Sequence, residues 1–553
     1  MAKKVLILGG GVAGLSAAHE LAEREFEVEI VEQKEIPGGK ARSLPVSGSG
    51  IGGRKDLPAE HGFRFFPGFY KHLPNTMSRI PFGNGTVADN LVDASRHQIA
   101  RSNNKNELYQ PVRFPSSWPE VLDAFQFFHK FYCDFGIAKS EVSFFIGRLL
   151  TLMISCRERR FSEYEHISWM EFVQADQMSS AYKHYLADGL SRSLVALDAN
   201  RLSTRTGGYI LLQFIFDFSP KSKVVSDRVL NGPTNAVWIS PWLAYLKKLG
   251  VDYKTQQQVV ALDFSRGRID GVLVQTSDGQ KRLTADYYIS ALPVEKLQPL
   301  LSQAMTLADP QLAGLQNLYT SWMTGVFFFL KKDVPLVHGH TNYVDSDWAL
   351  TSISQSQFWP AFDLSDFGDG TSHGVISVII SDWDKPSSHT GKRASESTPQ
   401  EIIDEVWRQM KVHQNEASSI VLNDSNIARS FISPSVKYDP INGWQNDEPL
   451  LINTCGSWKH RPTADTRIPN FFLASDYVQT ETDLASMEAA NEAARSAVNA
   501  ILLECGQLAN LCPVWPLDEP RFLKNIQAID KLRWQLGKKP MPINLPVLPW
   551  PCP

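Results

Sequence analysis

Apolar positions run unbroken from Val5 to Leu8, recur at helical spacing through the alanine-rich stretch after Gly11, and alternate with acidic ones in VEIVE, which ends at Glu32. That pattern predicts a buried strand, an amphipathic helix and a second strand, in that order. The alternation returns far downstream. A helix stopping at Gly250 precedes a strand, turns at Gly267 and at Asp278-Gly279 punctuate a pair of hairpins, and YYISALP reads as a buried strand. Residues 467–502 read as a strand, a loop and a helix of small residues. Together these pieces predict an α/β fold.

Between them the pattern changes. Residues 117–230 carry helical patterns rich in Phe, Leu and Trp (WPEVLDAFQFFHKFY, SFFIGRLLTLM, GGYILLQFIFDF), whereas 318–385 hold the strand-like runs WMTGVFFFL and GVISVIISDW. DKPSSHTGKRASESTPQ is polar and turn-rich, a loop ahead of the helix EIIDEVWRQM. The expected organisation is one discontinuous domain from residues 1–85, 230–300 and 450–510. A mixed α+β domain (86–229 with 301–449) is inserted into it, and a proline-ended tail covers 511–553. No internal repeat is visible.

Composition narrows the classes. The 553 residues exceed what one core usually serves, and 43% hydrophobic with 21% charged residues is ordinary for globular chains. A formal charge of -4 offers no footprint for nucleic acid. Six cysteines without a CxxC pair suggest neither a disulfide framework nor a zinc site, so a reducing, cytoplasmic location is expected. The apolar run at the N-terminus ends in glycines too soon for a signal sequence. VSFFIGRLLTLMISC (142–156) is too short to span a bilayer and contains Arg148, although a segment lying on a membrane surface is compatible with it.

The candidate chemistry begins at Gly9-x-Gly11-x-x-Gly14, placed between strand and helix. Gly9 makes the tight turn, Gly11 admits a pyrophosphate and Gly14 lets helix and strand pack closely; Val12 and Ala13 open the helix toward the phosphates, and Glu32 can accept from ribose hydroxyls. A dinucleotide is implied, NAD or FAD. IPGGKARS follows, with Gly38 and Gly39 for close approach and Lys40 and Arg42 for charge. With it the chain resembles the FAD-dependent family that joins amine oxidases to carotenoid desaturases.

The stretch AEHGFRFFPGFYKHLP (59–74) threads Glu60, His61 and Arg64 through five aromatic rings. It is similar to the E-x-G-L-H-x-F-F-G-x-Y segment of plant and cyanobacterial phytoene and zeta-carotene desaturases. Glu60, Gly62, Phe66, Gly68 and Tyr70 match, while Arg64 stands at the histidine position. YVDSDWALTSISQSQFW (343–359) echoes the same branch, and NFFLASDYVQTETDLASMEAA resembles the family's closing motif, with Ser475 and Ala489 replacing glycines.

The resemblance implies a Rossmann-like FAD-binding domain of the GR2 type with an inserted substrate domain. It assigns cofactor contact to the residues above and to Gln33, Gly62, Phe63, Arg64, Val259 (with Val260 as the alternative register), Ala291, Asp476, Ser486 and Met487. The rings would line a greasy entrance, and residues 120–156 a gate near a membrane surface. His61 is the candidate base and Arg64 a binding or polarising group, since no metal or Ser-His-Asp constellation is evident.

The expected activity is hydride removal from an apolar isoprenoid or carotenoid-like substrate, with quinone, oxygen or NAD(P) as electron acceptor. An amine or amino-acid oxidase, and a redox-neutral isomerase or dehydroxylase of a lipid, keep fold and flavin and change the substrate. A prenyl carrier without flavin is disfavoured by the GGK and Asp476 motifs.

Overall fold

The structure is a computed structural model that describes residues 2–102, 108–112, 133–189, 199–217, 225–416 and 418–546. Five strands build the sheet that organises the site: Lys4–Leu8, Glu27–Val31, Asp252–Lys254, Tyr287–Ser290 and Phe471–Leu473. All neighbours are parallel, and the spatial order is fifth, fourth, first, second, third in chain sequence. The order therefore reverses at the first strand, the arrangement that opens a crevice outside the carboxyl ends of the strands. Helix Val12–Ala22 makes the first crossover, as the spacing predicts. Strands Gln258–Ser265, Arg268–Thr276 and Gly279–Leu283 form the hairpin pair as an antiparallel meander.

The long excursions after the second and fourth strands contribute a seven-stranded sheet. Its order is Ile427–Ile432, Thr324–Leu330, Gly374–Ile380, Leu350–Ser354, His340–Tyr343, Arg96–Ala100 and Leu108–Pro111. Neighbours are antiparallel except His340–Tyr343 with Arg96–Ala100. One face (Val326, Phe328, Ile376, Val378) packs on Ile402, Val406 and Met410 of helix Pro399–Gln414, which starts where Thr398 and Glu401 form a capping box. The other face carries Phe327, Phe329, Ile353 and Val375, packed with Phe358 and Trp359.

Two expectations are revised, and part of a third falls outside the described residues. Residues 120–132 of the gate, with the helix predicted over WPEVLDAFQFFHKFY, lie outside the described residues. The remainder, helix Lys139–Ile154, is not a free surface: Ser143 Oγ donates to Pro546 O at 3.1 Å, and a Cβ on Gly147 would meet Ile543 O at 2.7 Å. The segment that covers it is the tail, which contains an unanticipated helix, Leu523–Gln535. Finally, Cys133 is disulfide-bonded; a disulfide needs only two thiols brought together in space, which sequence spacing does not report.

Candidate functional site

Four strand ends define the site. Gly9 N–H donates to Val31 O at 2.9 Å, Ala291 N–H to Leu8 O at 2.8 Å, Ala474 N–H to Ser290 O at 2.8 Å and Glu32 N–H to Lys254 O at 2.8 Å. Gly9, Glu32, Ala291 and Ala474 thus stand in one row at the carboxyl edge, with Asp476 two residues beyond. The row is tight. Gly9 has φ +104°, and a Cβ on it would lie 2.9 Å from Ala291 O. A Cβ on Gly14 would lie 2.0 Å from Gly9 O, so only glycine lets the helix close onto the strand.

The helix N-terminus opens with Gly11, which offers no side-chain cap, and its first turn carries no acid. Its amide N–H groups are therefore available to an anion. A second helix, Met487–Glu504, is capped by Ser486, which accepts from Ala489 N–H at 3.2 Å. Asn491 Nδ2 donates to Ser16 Oγ at 2.8 Å. Each of those residues lies five positions past its own cap, so the two N-termini sit side by side, both directed at the row of strand ends. Met487 and Ser486 are half-buried at that opening. Asp476 is also half-buried, and Ser475 Oγ donates to it at 3.2 Å. The serine that replaces the family's glycine thus orients the carboxylate.

Glu32 is fixed by Gly10 N–H at 2.7 Å and Lys34 N–H at 2.8 Å. Gln33, beside it, is exposed. Gln257 N–H donates to Glu32 O at 2.9 Å, and a bulge follows between Val259 and Ala261. Val259 pairs in the ladder; Val260 does not, which leaves its backbone groups for another partner. The Gly38-Gly39 loop lies on the first turn: Gly38 N–H donates to Gly10 O at 3.2 Å, and a Cβ on Gly39 would lie 2.8 Å from Gly11 Cα.

A carboxylate that sequence reasoning missed organises the cations. Buried Glu448 pairs with Lys34 and with Arg42 at 2.9 Å, and its Oε2 is 3.6 Å from His61 Nδ1. Nothing in the surrounding NDEPL pattern marks it. Burial pushes the Arg42 guanidinium down to about 10. Lys40 pairs with Glu295 at 3.0 Å. Burial, then the Arg64, Arg42, Lys40 and Lys34 charges, hold His61 well below the ordinary imidazole range. The candidate base is thus neutral and weakly basic, beside Ser433 Oγ at 3.4 Å.

The aromatic stretch divides in two. Phe66, Phe69 and Tyr70 are core, Phe66 against Trp238 and Phe69 against Phe214, and a Cβ on Gly62 would meet Ile379 Cδ1 at 2.8 Å. Phe63 and Phe65 are half-buried. The Arg64 guanidinium is 3.7 Å from Glu60 and donates to Lys40 O at 3.3 Å. Glu60, pushed up by burial against the pull of Arg64 and Thr234, is a structural partner for the arginine. Among the described residues Arg64 Nε and Gln355 Oε1 have no hydrogen-bond partner, and both side chains line a cleft with Glu60, Phe63, Ile353, Phe358 and Trp359.

Behind Phe63 and Phe65 lies a pair the sequence did not single out. His340 Nδ1 meets Asp227 Oδ2 at 2.8 Å, and both side chains are buried. Phe63 and Phe65 lie 4.7 Å and 5.1 Å from the imidazole, centroid to centroid, while among the described residues His340 Nε2 has no hydrogen-bond partner. His340 pairs in register with Ile353, Ile353 with Ser377, and Ser377 with Phe327. All four therefore point to the face that carries the aromatic cluster. Burial pushes neighbouring His97 down to about 4.

A family model described as flavin containing amine oxidoreductase matches residues 12–502. The chain belongs to the flavin-containing amine oxidoreductase family. It is 22% identical over 533 residues to a zeta-carotene desaturase of Synechocystis sp., covering 91% of this chain and 98% of that protein. Against a 15-cis-phytoene desaturase of Synechococcus elongatus it is 22% identical over 522 residues, 91% and 97% of the two chains. Among solved structures, cyclohexylamine oxidase from Brevibacterium oxydans shares the fold at TM-score 0.60 and 12% identity, over 92% of this chain and 100% of that one.

Membership makes the protein an FAD-binding oxidoreductase with a Rossmann-like cofactor domain, and the residues present suit that cofactor. Two uncapped or lightly capped helix N-termini, glycines that a Cβ would block and the fixed Glu32 carboxylate are what a dinucleotide requires. One family position is structural. Glu488 accepts from the Lys71 and His72 N–H groups at 2.6 Å, Leu73 N–H at 2.8 Å and His72 Nδ1 at 2.8 Å. It ties the aromatic stretch to the helix whose N-terminus faces the site.

Proposed function

We propose that the protein is a desaturase or dehydrogenase that removes hydride from a long apolar, isoprenoid or carotenoid-like substrate. The observation that carries this reading is the inner face of the seven-stranded sheet, where Phe327, Phe329, Ile353 and Val375 pack with Phe358, Trp359 and Phe63 into a buried apolar cluster, and Phe63, Ile353, Phe358 and Trp359 of that cluster line the cleft beside Arg64. Such a lining binds hydrocarbon by excluding water, and the Glu60 carboxylate at the same cleft is already engaged by Arg64 and by the N–H and hydroxyl of Thr234. The desaturase relatives support the same choice.

When bound, FAD supplies a hydride acceptor at its N5. The chain's groups would do the rest. The helix termini at Gly11 and Ser486 would meet negative charge on the cofactor, Glu32 would accept from ribose hydroxyls, Asp476 would hold a further hydroxyl, and the rings would keep the site dry. Removing hydride from one carbon and a proton from its neighbour leaves an electron pair that becomes the new double bond. His340 Nε2, with Asp227 on the opposite nitrogen, would accept that proton; His61 is too weak a base for the task. A substrate of this kind partitions into bilayers, so the reading also carries a position peripheral to a membrane. Quinone, oxygen or NAD(P) would take the electrons onward.

The test is anaerobic loss of the flavin absorbance on adding carotene precursors against a panel of amines. Bleaching by precursors supports the proposal, and bleaching by amines alone overturns it in favour of an amine oxidase. His340→Gln and Asp227→Asn, with flavin content intact, are expected to slow bleaching and to flatten its pH profile.

A further inference from the structure

The helix Leu523–Gln535 is fastened to the protein by one face. Leu523 and Asp530 are buried. Asp530 accepts from Arg159 Nε at 3.0 Å and Cys156 N–H at 2.9 Å, Gln527 Nε2 donates to Met153 O at 3.1 Å and Trp534 Nε1 to Ser162 Oγ at 2.9 Å. Its opposite face is apolar and bare. Phe522 is 69% exposed, Ile529 52%, Leu532 61% and Leu536 70%. Spacings of seven, three and four place these four on one stripe.

Charge flanks the stripe. Residues 521–546 contain six Lys or Arg against one acid, Asp530, which is buried and already paired. Arg521, Lys524, Lys538 and Lys539 are exposed at the two ends. The chain as a whole is at -4, so this basic patch is local. Among the described residues no helix is long and apolar enough to cross a membrane.

We propose that this face docks on an anionic lipid bilayer, with Phe522, Ile529, Leu532 and Leu536 entering the headgroup boundary and the flanking cations meeting lipid phosphates and carboxylates. An apolar stripe on a helix pinned by its opposite face, bracketed by cations and with its one acid buried and paired, matches a planar negative interface. Each Lys or Arg near such a surface strengthens attachment about fivefold. The helix lies over Lys139–Ile154, so the docking surface is the cover of the segment that the sequence had nominated, not that segment itself.

The proposal goes beyond the substrate reading by naming the surface and its lipid chemistry, and vesicle binding needs no turnover, so either can fail alone. The purified flavin-loaded protein is sedimented with phosphatidylcholine vesicles, with and without phosphatidylserine, at low and high salt. Binding is expected with phosphatidylserine, to fall at high salt, and to weaken at least tenfold in the double variant Ile529→Asp, Leu532→Asp. The charge variant Lys524→Glu, Lys538→Glu, Lys539→Glu is expected to bind phosphatidylserine vesicles no better than phosphatidylcholine. All these positions are exposed, and unchanged flavin absorbance and circular dichroism confirm folding. Equal binding by wild type and variants overturns the proposal, as does no binding to phosphatidylserine vesicles. A dimer in light scattering that the Ile529, Leu532 variant abolishes overturns it too, by assigning the stripe to a second copy.

Discussion

Gly14→Ala tests the claim that the first helix must press onto the first strand. In an ordinary helix interior the change would stabilise by about 1 kcal/mol, because alanine loses less conformational freedom than glycine. Here the added Cβ would lie 2.0 Å from Gly9 O and 3.1 Å from Gly9 C, both backbone atoms that no rotamer change can move. Ordinary contact requires more than an ångström of additional separation, so the helix end must retreat from the strand. Overpacking of that kind costs about 1–3 kcal/mol, which reverses the sign to a net loss of up to about 2 kcal/mol. The retreat also withdraws the helix N-terminus from the row of strand ends, so flavin affinity is expected to fall about ten- to a hundredfold, the equivalent of 1.4–2.8 kcal/mol. Flavin fluorescence titration of the apoprotein measures the affinity and thermal denaturation the stability. A Gly14→Ala protein with a raised thermal midpoint and wild-type flavin affinity would refute the reasoning.

Three further outcomes are expected. Glu488→Gln removes a charge that accepts three backbone N–H groups and an imidazole, and should destabilise the protein by about 3 kcal/mol, checked by denaturant unfolding; an unchanged midpoint would show that the carboxylate is not the clamp. His61 and His97 are both held below the ordinary imidazole value, so the folded state binds fewer protons than the unfolded one below about pH 6.5, for His97 down to about 4; stability is complete above pH 6.5 and falls as acid is added, by up to about 1.4 kcal/mol per pH unit for each group. Thermal midpoints measured across the window check this, and a flat profile would contradict neutral burial. Asp530→Asn breaks the buried pair with Arg159 and should cost about 3–5 kcal/mol locally, seen as rapid proteolysis within 511–546 while flavin is retained.

How much of this was legible differs by element. Gly9, Gly11, Gly14, Gly38, Gly39 and Glu32 could be assigned because their roles are local: a turn, a close approach and a strand end are set by neighbouring residues, and side-chain size alone decides who fits. The carotenoid-desaturase resemblance followed from similarly contiguous runs. His61 and Arg64 were visible as charged groups among rings, but their roles were not. Whether an imidazole is a base or a neutral core group depends on Glu448, Arg42 and Lys34, which reach it from remote parts of the chain.

The sequence by itself determined the α/β class and the two tight glycine loops, Gly9 to Gly14 and Gly38-Gly39, because hydrophobic period and glycine placement act within a few residues. Only the tertiary structure decided that Asp476 shares an edge with Gly9, that Glu488 clamps the aromatic stretch, that His340 and Asp227 form a buried pair and that the tail helix covers Lys139–Ile154. Those contacts join residues up to several hundred positions apart, and no local pattern encodes them. Their energy comes from desolvation and hydrogen bonding that exist only once the chain has closed on itself.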